Sequence, residues 1–256
     1  MAKTRADQFA KLGPVMHEIF NDIVILIPAY NPGRELPELA QQLRTHFKRI
    51  ILVDDGSTTG QKFIDETKPL VESVLIHPRN RGKGAALKTG FQHLLKKQPF
   101  QGVVTVDADG QHLVDDIVHV AEALRTNETR LVLGMRVRTP ETPFRSWWGN
   151  WWTRQIFRLI VGLDLADTQT GLRGIPRPLI DDLLTIPGER YDYELAMLAA
   201  AKNHPQPPQQ IPITTVYANG NATSHFRPWS DSVRNFRTLF RFCRNQDKAR
   251  ASSSVN

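Results

Sequence analysis

The sequence predicts an α/β protein built on a mostly parallel sheet with helices on both faces. Short β-branched runs alternate with helical stretches from residue 23 to about residue 139. Strand, helix, strand in that order implies right-handed crossovers and parallel neighbours. The runs are apolar on both faces, as strands covered on both sides are. Three of them end in polar, turn-forming residues: Pro28-Ala29-Tyr30-Asn31, Asp54-Asp55-Gly56-Ser57 and Asp107-Ala108-Asp109-Gly110. The carboxyl ends of strands are where open α/β sheets bind ligands.

The elements follow in order. Residues 1–21 read as an extension. Ile23-Val24-Ile25-Leu26-Ile27 is the first strand, stopped by Pro28, and Leu36, Leu39, Leu43 and Phe47 give a covering helix by their spacing. Ile50-Ile51-Leu52-Val53 is the second strand, a short helix falls near 61–70, and Val74-Leu75-Ile76 is the third. Leu87, Phe91 and Leu94 carry the next helix, and Val103-Val104-Thr105-Val106 forms a buried strand ending in the Asp-Ala-Asp tripeptide. Leu113, Ile117, Val120 and Leu124 share one face of the following helix, and residues 130–134 are a fifth strand.

Alternation stops near residue 139. Arg145 to Leu163 reads as a helix holding four of the five tryptophans within six residues. Tryptophan suits both a core and a lipid interface, so packing on the sheet and contact with membrane are both open here. Residues 167–174 form a polar loop running into a short apolar piece, Leu179, Leu183 and Leu184 return to helical spacing, and Tyr191 opens an alanine-rich helix to Lys202. Ile211 to Tyr217 is an edge strand. Residues 227–250 hold seven Arg or Lys against two Asp. There Trp229, Val233, Phe236, Phe240 and Cys243 form one stripe, with Arg234, Arg237, Arg241 and Arg244 on a second. Such a helix lies on an anionic membrane or docks on its own domain. These boundaries divide the chain into the extension 1–21, one domain over 22–218 and a basic amphipathic segment over 219–256.

Bulk properties narrow the function. The 256 residues are ample for one core, and 33 basic against 26 acidic residues leave +7, which suits an anionic partner. One cysteine, Cys243, excludes an internal disulfide framework and a zinc-thiolate cluster. No stretch reaches the ~18–20 apolar residues of a membrane span, and the N-terminal residues lack the apolar centre of a signal peptide. The expectation is a cytoplasmic protein, peripheral on the inner face of the membrane.

The chemistry centres on Asp107 and Asp109. Two carboxylates one residue apart at a buried strand end need a cation or hydrogen-bond donors, because desolvating like charges is costly. Magnesium or manganese takes oxygen ligands, one or two carboxylates with substrate phosphate and water, and Gln111 offers a further carbonyl oxygen. Capping of the next helix is the other reading of the pair. The loop Asn80-Arg81-Gly82-Lys83-Gly84 fits phosphate or a solvated basic turn, and lacks P-loop spacing.

Ile27-Pro28-Ala29-Tyr30-Asn31, Val53-Asp54-Asp55-Gly56-Ser57, Asn80-Arg81-Gly82-Lys83-Gly84, Val106-Asp107-Ala108-Asp109-Gly110-Gln111, Gly134-Met135-Arg136 and Asp167-Thr168-Gln169-Thr170-Gly171 together resemble family 2 glycosyltransferases. The chain is most similar to the polyprenyl-phosphate (dolichyl-phosphate) mannosyl- and glucosyltransferase branch. The resemblance runs from residue 23 to about residue 200, and Ser224-His225-Phe226-Arg227-Pro228 resembles the tail of bacterial members. It implies a GT-A fold, a Rossmann-like nucleotide-binding half followed by an acceptor half. It places the nucleotide of a UDP- or GDP-linked sugar against Pro28, Ala29, Tyr30, Asn31, Asp55, Lys83 and Ala108. Asp107 then faces the ribose or sugar, and Asp109 with Gln111 holds the metal. Two departures are visible: Pro32 stands where many relatives carry Glu, and no transmembrane helices follow the domain.

The implied reaction is single displacement with inversion, with Arg136 beside the leaving diphosphate. Arg145, Gln169, Arg173, Glu194, His225 and Arg227 are the expected acceptor-binding residues. A lipid phosphate acceptor attacks unaided, whereas a hydroxyl needs a base; Asp192 is the candidate, and with Glu194 it also reads as an ordinary helix N-terminal acid. Because candidate cations outnumber candidate bases, the anionic lipid is the favoured acceptor. A saccharide or lipid hydroxyl is the alternative, and a non-catalytic protein holding nucleotide with membrane or nucleic acid is the rival of another class. No nucleic-acid partner is expected.

Overall fold

The structure, a computed structural model, describes residues 19–137, 144–203, 206–214, 239–240 and 242–244; for 144–150 and 203 it describes the backbone. A seven-stranded sheet runs β3-β2-β1-β4-β6-β5-β7. Its strands are β1 (Phe20–Ala29), β2 (Phe47–Asp54), β3 (Ser73–Ile76), β4 (Gly102–Thr105), β5 (Val132–Arg136), β6 (Arg173–Pro176) and β7 (Gln209–Ile213). Only β6 is reversed, antiparallel to both β4 and β5. The helices are α1 (Glu35–Leu43), α2 (Gln61–Thr67), α3 (Lys83–Leu95), α4 (Val114–Arg125), α5 (Phe144–Val161), α6 (Ile180–Thr185) and α7 (Tyr191–Ala200).

The two faces of the sheet bury separate apolar layers. Val24, Leu26, Ile51 and Val103 point to a layer completed by Phe91 of α3, Phe157 of α5 and Leu198 of α7. Ile23, Ile25, Ile27 and Val104 point to the other, with Leu36 of α1 and Ile117 of α4. Alternate residues of one strand thus feed opposite layers, which is why the strands are apolar throughout. The chain winds outward through β1, β2 and β3, then returns to add β4 on the other side of β1. That reversal opens a crevice between the carboxyl ends of β1 and β4, the topological switch point.

Several expectations need correction. β1 begins at Phe20, not Ile23: Phe20 stacks on Phe47 at 5.0 Å and its N–H bonds the His46 carbonyl at 2.7 Å. A register shift between Phe20 and Val24 absorbs the polar Asn21 and Asp22 that hide this start in the sequence. Leu113 stands exposed just before α4 rather than on its core face. Residues 173–176, read as a short apolar piece, are the strand β6. Four residues with Gly174 inside and Pro176 at the end show no strand pattern; pairing with β4 makes them one. In the tail, Leu239 is buried and Phe242 and Cys243 pack on the core, while Phe240 is exposed. Leu239, Phe242 and Cys243 thus dock on the domain; of the expected apolar stripe Cys243 packs inward and Phe240 does not. The other stripe residues, Trp229, Val233, Arg234, Phe236, Arg237 and Arg241, lie outside the described residues, as do the first 18.

Candidate active site

The site is assembled at the carboxyl edge of β1, β2 and β4. Leaving β1, Asn31 has φ 50°, a left-handed conformation that asparagine tolerates. Its backbone N–H bonds Ser57 Oγ at 2.9 Å, and its side-chain oxygen accepts from the N–H groups of Thr58 and Thr59 at 2.8 and 3.0 Å. Asn31 therefore ties the loop after β1 to the loop after β2. Pro28 and Ala29 are buried beside it and Tyr30 is half-buried.

Asp55, 3% exposed, organises the basic loop. One oxygen accepts from the Arg81 N–H at 2.9 Å and lies 2.6 Å from His77 Nδ1, while the other accepts from the Gly82 N–H at 2.7 Å. Two backbone N–H groups of the loop that fits phosphate or a solvated basic turn by sequence are thus turned inward to a carboxylate. His77 Nε2 reaches Thr89 Oγ1 at 2.9 Å, locking the loop to α3.

Lys83, the first residue of α3, is the centre of charge. Its Nζ lies 2.6 Å from Asp107 Oδ1 and 2.9 Å from Glu194 Oε1. Burial alone would lower its pKa, but the two carboxylates outweigh burial and raise it above the ordinary lysine value. Glycines make this approach feasible. A Cβ at Gly82, where φ is 107°, would lie 2.5 Å from the Glu189 carbonyl oxygen, and one at Gly84 would lie 2.5 Å from Tyr193 Cβ. With neither present, the segment before α7 closes on the start of α3, Ala85 N–H bonding the Glu189 carbonyl at 2.9 Å.

The two aspartates differ. Burial works against the charge of Asp107, yet Lys83 and neighbouring cations overcome it and hold the carboxyl below the usual range. Asp109 is pushed up to about 6, first by burial and then by the charge of Asp107. Its Oδ1 accepts the Gln111 N–H at 3.1 Å, a local turn. Gly171 packs directly on Asp107, where any side chain would overlap the carboxylate, and Thr105 Oγ1 donates to the Gly171 carbonyl at 2.8 Å. Buried His112 lies beside Asp107, its Nε2 4.0 Å from Oδ2, and burial pushes its imidazole below the ordinary histidine value.

The remaining candidates separate sharply. Arg136 is clamped to Asp167 through two bonds of 2.5 and 3.0 Å. Arg173 is 2% exposed, donating to the carbonyls of Thr170 and Glu194 at 3.0 and 2.7 Å. It holds β6 to α7, a structural tie at a residue expected from the sequence to bind the acceptor. Asp192 Oδ1 accepts the N–H groups of Arg190 and Tyr193 at 3.0 and 3.1 Å, so its carboxylate is tied to the backbone at the start of α7. The structure brings Glu194, not Asp192, onto Lys83. Gln169 is exposed and its side-chain amide reaches Thr153 at 3.3 Å. The Arg145 side chain, His225 and Arg227 lie outside the described residues. Sequence reasoning missed the seating role of Gly171 and the clamp of His77 on Asp55; the signal for the first was a glycine ending a polar motif, and the second had none.

Acidic strand ends on one side of a topological switch point and a cationic helix start on the other stand where open α/β sheets bind ligands. The chain is a member of Glycosyl transferase family 2, whose model matches residues 24–184. It is 30% identical over 210 residues to an uncharacterized protein of Methanocaldococcus jannaschii, spanning 77% of this chain and 82% of that protein. It is also 30% identical over 219 residues to a UDP-N-acetylglucosamine–dolichyl-phosphate N-acetylglucosaminyltransferase of Methanococcus voltae, spanning 76% and 86% of the two chains. Among solved structures it is similar in fold to glucosyl-3-phosphoglycerate synthase of Mycobacterium tuberculosis, crystallised with Mn2+ and UDP. There the TM-score is 0.62 at 17% identity, covering 92% of this chain and 82% of that one.

Proposed function

We propose that this family 2 glycosyltransferase moves a sugar from a UDP- or GDP-linked donor to a polyprenyl phosphate or similar anionic lipid, with inversion, as a peripheral protein on the inner face of the membrane. The observation that carries the acceptor class is the state of the carboxylates at the start of α7. Asp192 accepts two backbone N–H groups, and Glu194 is held by Lys83 with Arg173 at 3.8 Å. Neither is set out as a base for a hydroxyl, and a phosphate acceptor needs none. The Methanococcus voltae relative, named for transfer to dolichyl phosphate, supports the same class. The excess of cations expected from the sequence does not, since Arg173 is buried and Arg136 is paired.

A phosphate oxygen of the acceptor attacks the anomeric carbon. The bond from that carbon to the diphosphate oxygen breaks, and the nucleoside diphosphate leaves with the electron pair. Pro28, Ala29, Tyr30 and Ala108 line the base and ribose, with Asn31 and Asp55 shaping the loops around them. Lys83, still clasped by its carboxylates, supplies positive charge beside the diphosphate, and Asp107 faces the ribose or sugar.

Asp109 and Gln111 fit a divalent cation: Asp109 is the carboxylate whose charge is left least compensated, and the oxygen donors suit Mg2+ or Mn2+. Among the described residues no three His, Cys, Asp or Glu side chains converge as a full ligand set. Bound by Asp109 and Gln111, the cation supplies positive charge for the leaving diphosphate.

The test is transfer of labelled sugar from UDP- and GDP-donors to polyprenyl phosphate against the matching polyprenol, with Asp192→Asn beside the parent. Asn keeps a side-chain oxygen to accept the N–H groups of Arg190 and Tyr193, so the variant should retain most of its turnover on polyprenyl phosphate. Loss of a general base would instead cost roughly 10²–10⁴-fold, and a drop of that size with unchanged donor affinity and thermal stability moves the acceptor to a hydroxyl.

A further inference from the structure

We propose that α5 is the surface by which the protein rests on an anionic membrane, with Trp151, Trp152 and Leu159 among the lipid headgroups. Phe157 and Val161 are the buried face of this helix. The opposite face shows Leu159 at 86%, Trp152 at 53% and Trp151 at 38% exposure. Residues 152 and 159 are seven apart and so nearly superimpose along the axis, with Trp151 and Arg158 on the adjoining stripe. A single exposed leucine is ordinary, but two indoles and a leucine gathered on one outward face mark a contact surface.

Charge selects the occupant. The helix carries Arg145, Arg154 and Arg158 and no Asp or Glu. Arg154 faces Asp164 at 2.8 Å, and Arg158 stands exposed beside the indoles. Lipid phosphates complement that charge, whereas a second copy of the same face would oppose arginine to arginine. Tryptophan and arginine are the side chains that sit at headgroup depth. No helix among the described residues is long and apolar enough to cross a membrane, so α5 lies on the surface.

The position of α5 gives the contact a purpose, and this step rests on the lipid acceptor proposed above. Thr153 meets the side chain of Gln169, two residues before Gly171, on which Asp107 packs. A membrane against α5 therefore lies beside the carboxyl edge of the sheet, where an acceptor phosphate held in that membrane is presented to the crevice.

Sedimentation of the full chain with vesicles tests this, using phosphatidylcholine alone and phosphatidylcholine mixed with phosphatidylglycerol. The parent should bind the anionic vesicles, less tightly as salt rises. Trp152→Gln combined with Leu159→Gln should weaken that binding roughly tenfold or more, while circular dichroism and a cooperative melt show that the fold is retained. Equal binding by parent and variant, equal binding to the two vesicle types, or no binding by the parent overturns the proposal. So does a variant that loses only self-association, which would assign the face to a second copy. Transfer to a short-chain, water-soluble polyprenyl phosphate without vesicles should be the same in parent and variant. If neither transfers, the acceptor assignment fails while the vesicle result still decides the role of α5.

Discussion

Asp107 and Glu194 put two carboxylates around the Lys83 ammonium and leave Asp109 outside that pairing, which explains why the two aspartates of one tripeptide behave differently. Asp107 has the lysine at 2.6 Å, whereas Asp109 is raised to about 6 by burial and by Asp107. Removing the charge of Asp109 therefore relieves repulsion when no cation is bound. Asp109→Asn should leave stability in chelator equal to the parent or about 1 kcal/mol higher at pH 7.5, while abolishing metal-dependent donor binding in calorimetry. Undiminished donor affinity with metal present would remove Asp109 from the metal site. At this scale the strand-end carboxylates were legible, because two acids after a β-branched run are costly without a function. The opposite fates of Asp192 and Glu194 were not. Two residues on a helix turn by about 200°, and which of them faces Lys83 depends on where α7 docks.

Between elements, the decisive contact is the reversed strand β6 wedged between β4 and β5, with Arg173 pinning it to α7. Arg173→Leu leaves the carbonyls of Thr170 and Glu194 without their donor inside the protein. It should cost about 3 kcal/mol in denaturant unfolding, rather than selectively raising the KM for acceptor; intact stability with a raised acceptor KM would restore the expectation from sequence. A second joint is Asp116 of α4, whose Oδ2 accepts the Thr214 N–H at 2.7 Å just past β7. Burial, opposed by that bond, pushes its carboxyl up to about 6. The folded state thus binds this proton more tightly than the unfolded chain, so the contribution of Asp116 to stability falls as pH rises from about 4 to about 6 and stays lost above. Asp116→Asn keeps an acceptor for Thr214 and should be about 1–2 kcal/mol more stable than the parent at pH 7. Paired melts should show the difference vanishing below about pH 4, and a pH-independent difference would mean that packing, not ionisation, sets it.

For the whole molecule, the order β3-β2-β1-β4 places the polar ends of β1, β2 and β4 on one edge of the sheet, so a donor bound there, as proposed above, ties their loops together further. At about 100 times its Kd a ligand bound only to the native state adds about 2.7 kcal/mol. The cognate nucleotide sugar with Mg2+ or Mn2+ should therefore raise the melting temperature by several degrees across a UDP- and GDP-sugar panel, and the shift should collapse with chelator. A shift untouched by chelator would argue that the cation is dispensable for donor binding.

The alternation of strands and helices, the edge on which they carry polar ends, and the identity of the acidic tripeptide all follow from local sequence, since periodicity and turn chemistry are properties of neighbouring residues. β6 did not follow, because four residues with a glycine and a proline have no strand preference until β4 and β5 supply partners. Nor did the burial of Arg173, the inward turn of the Arg81 and Gly82 N–H groups, or the choice of Glu194 over Asp192. Each depends on a carboxylate or carbonyl more than twenty residues away in sequence meeting a cation or N–H group. Charge pairing over such separations is decided by how the elements pack, which only the tertiary structure specifies.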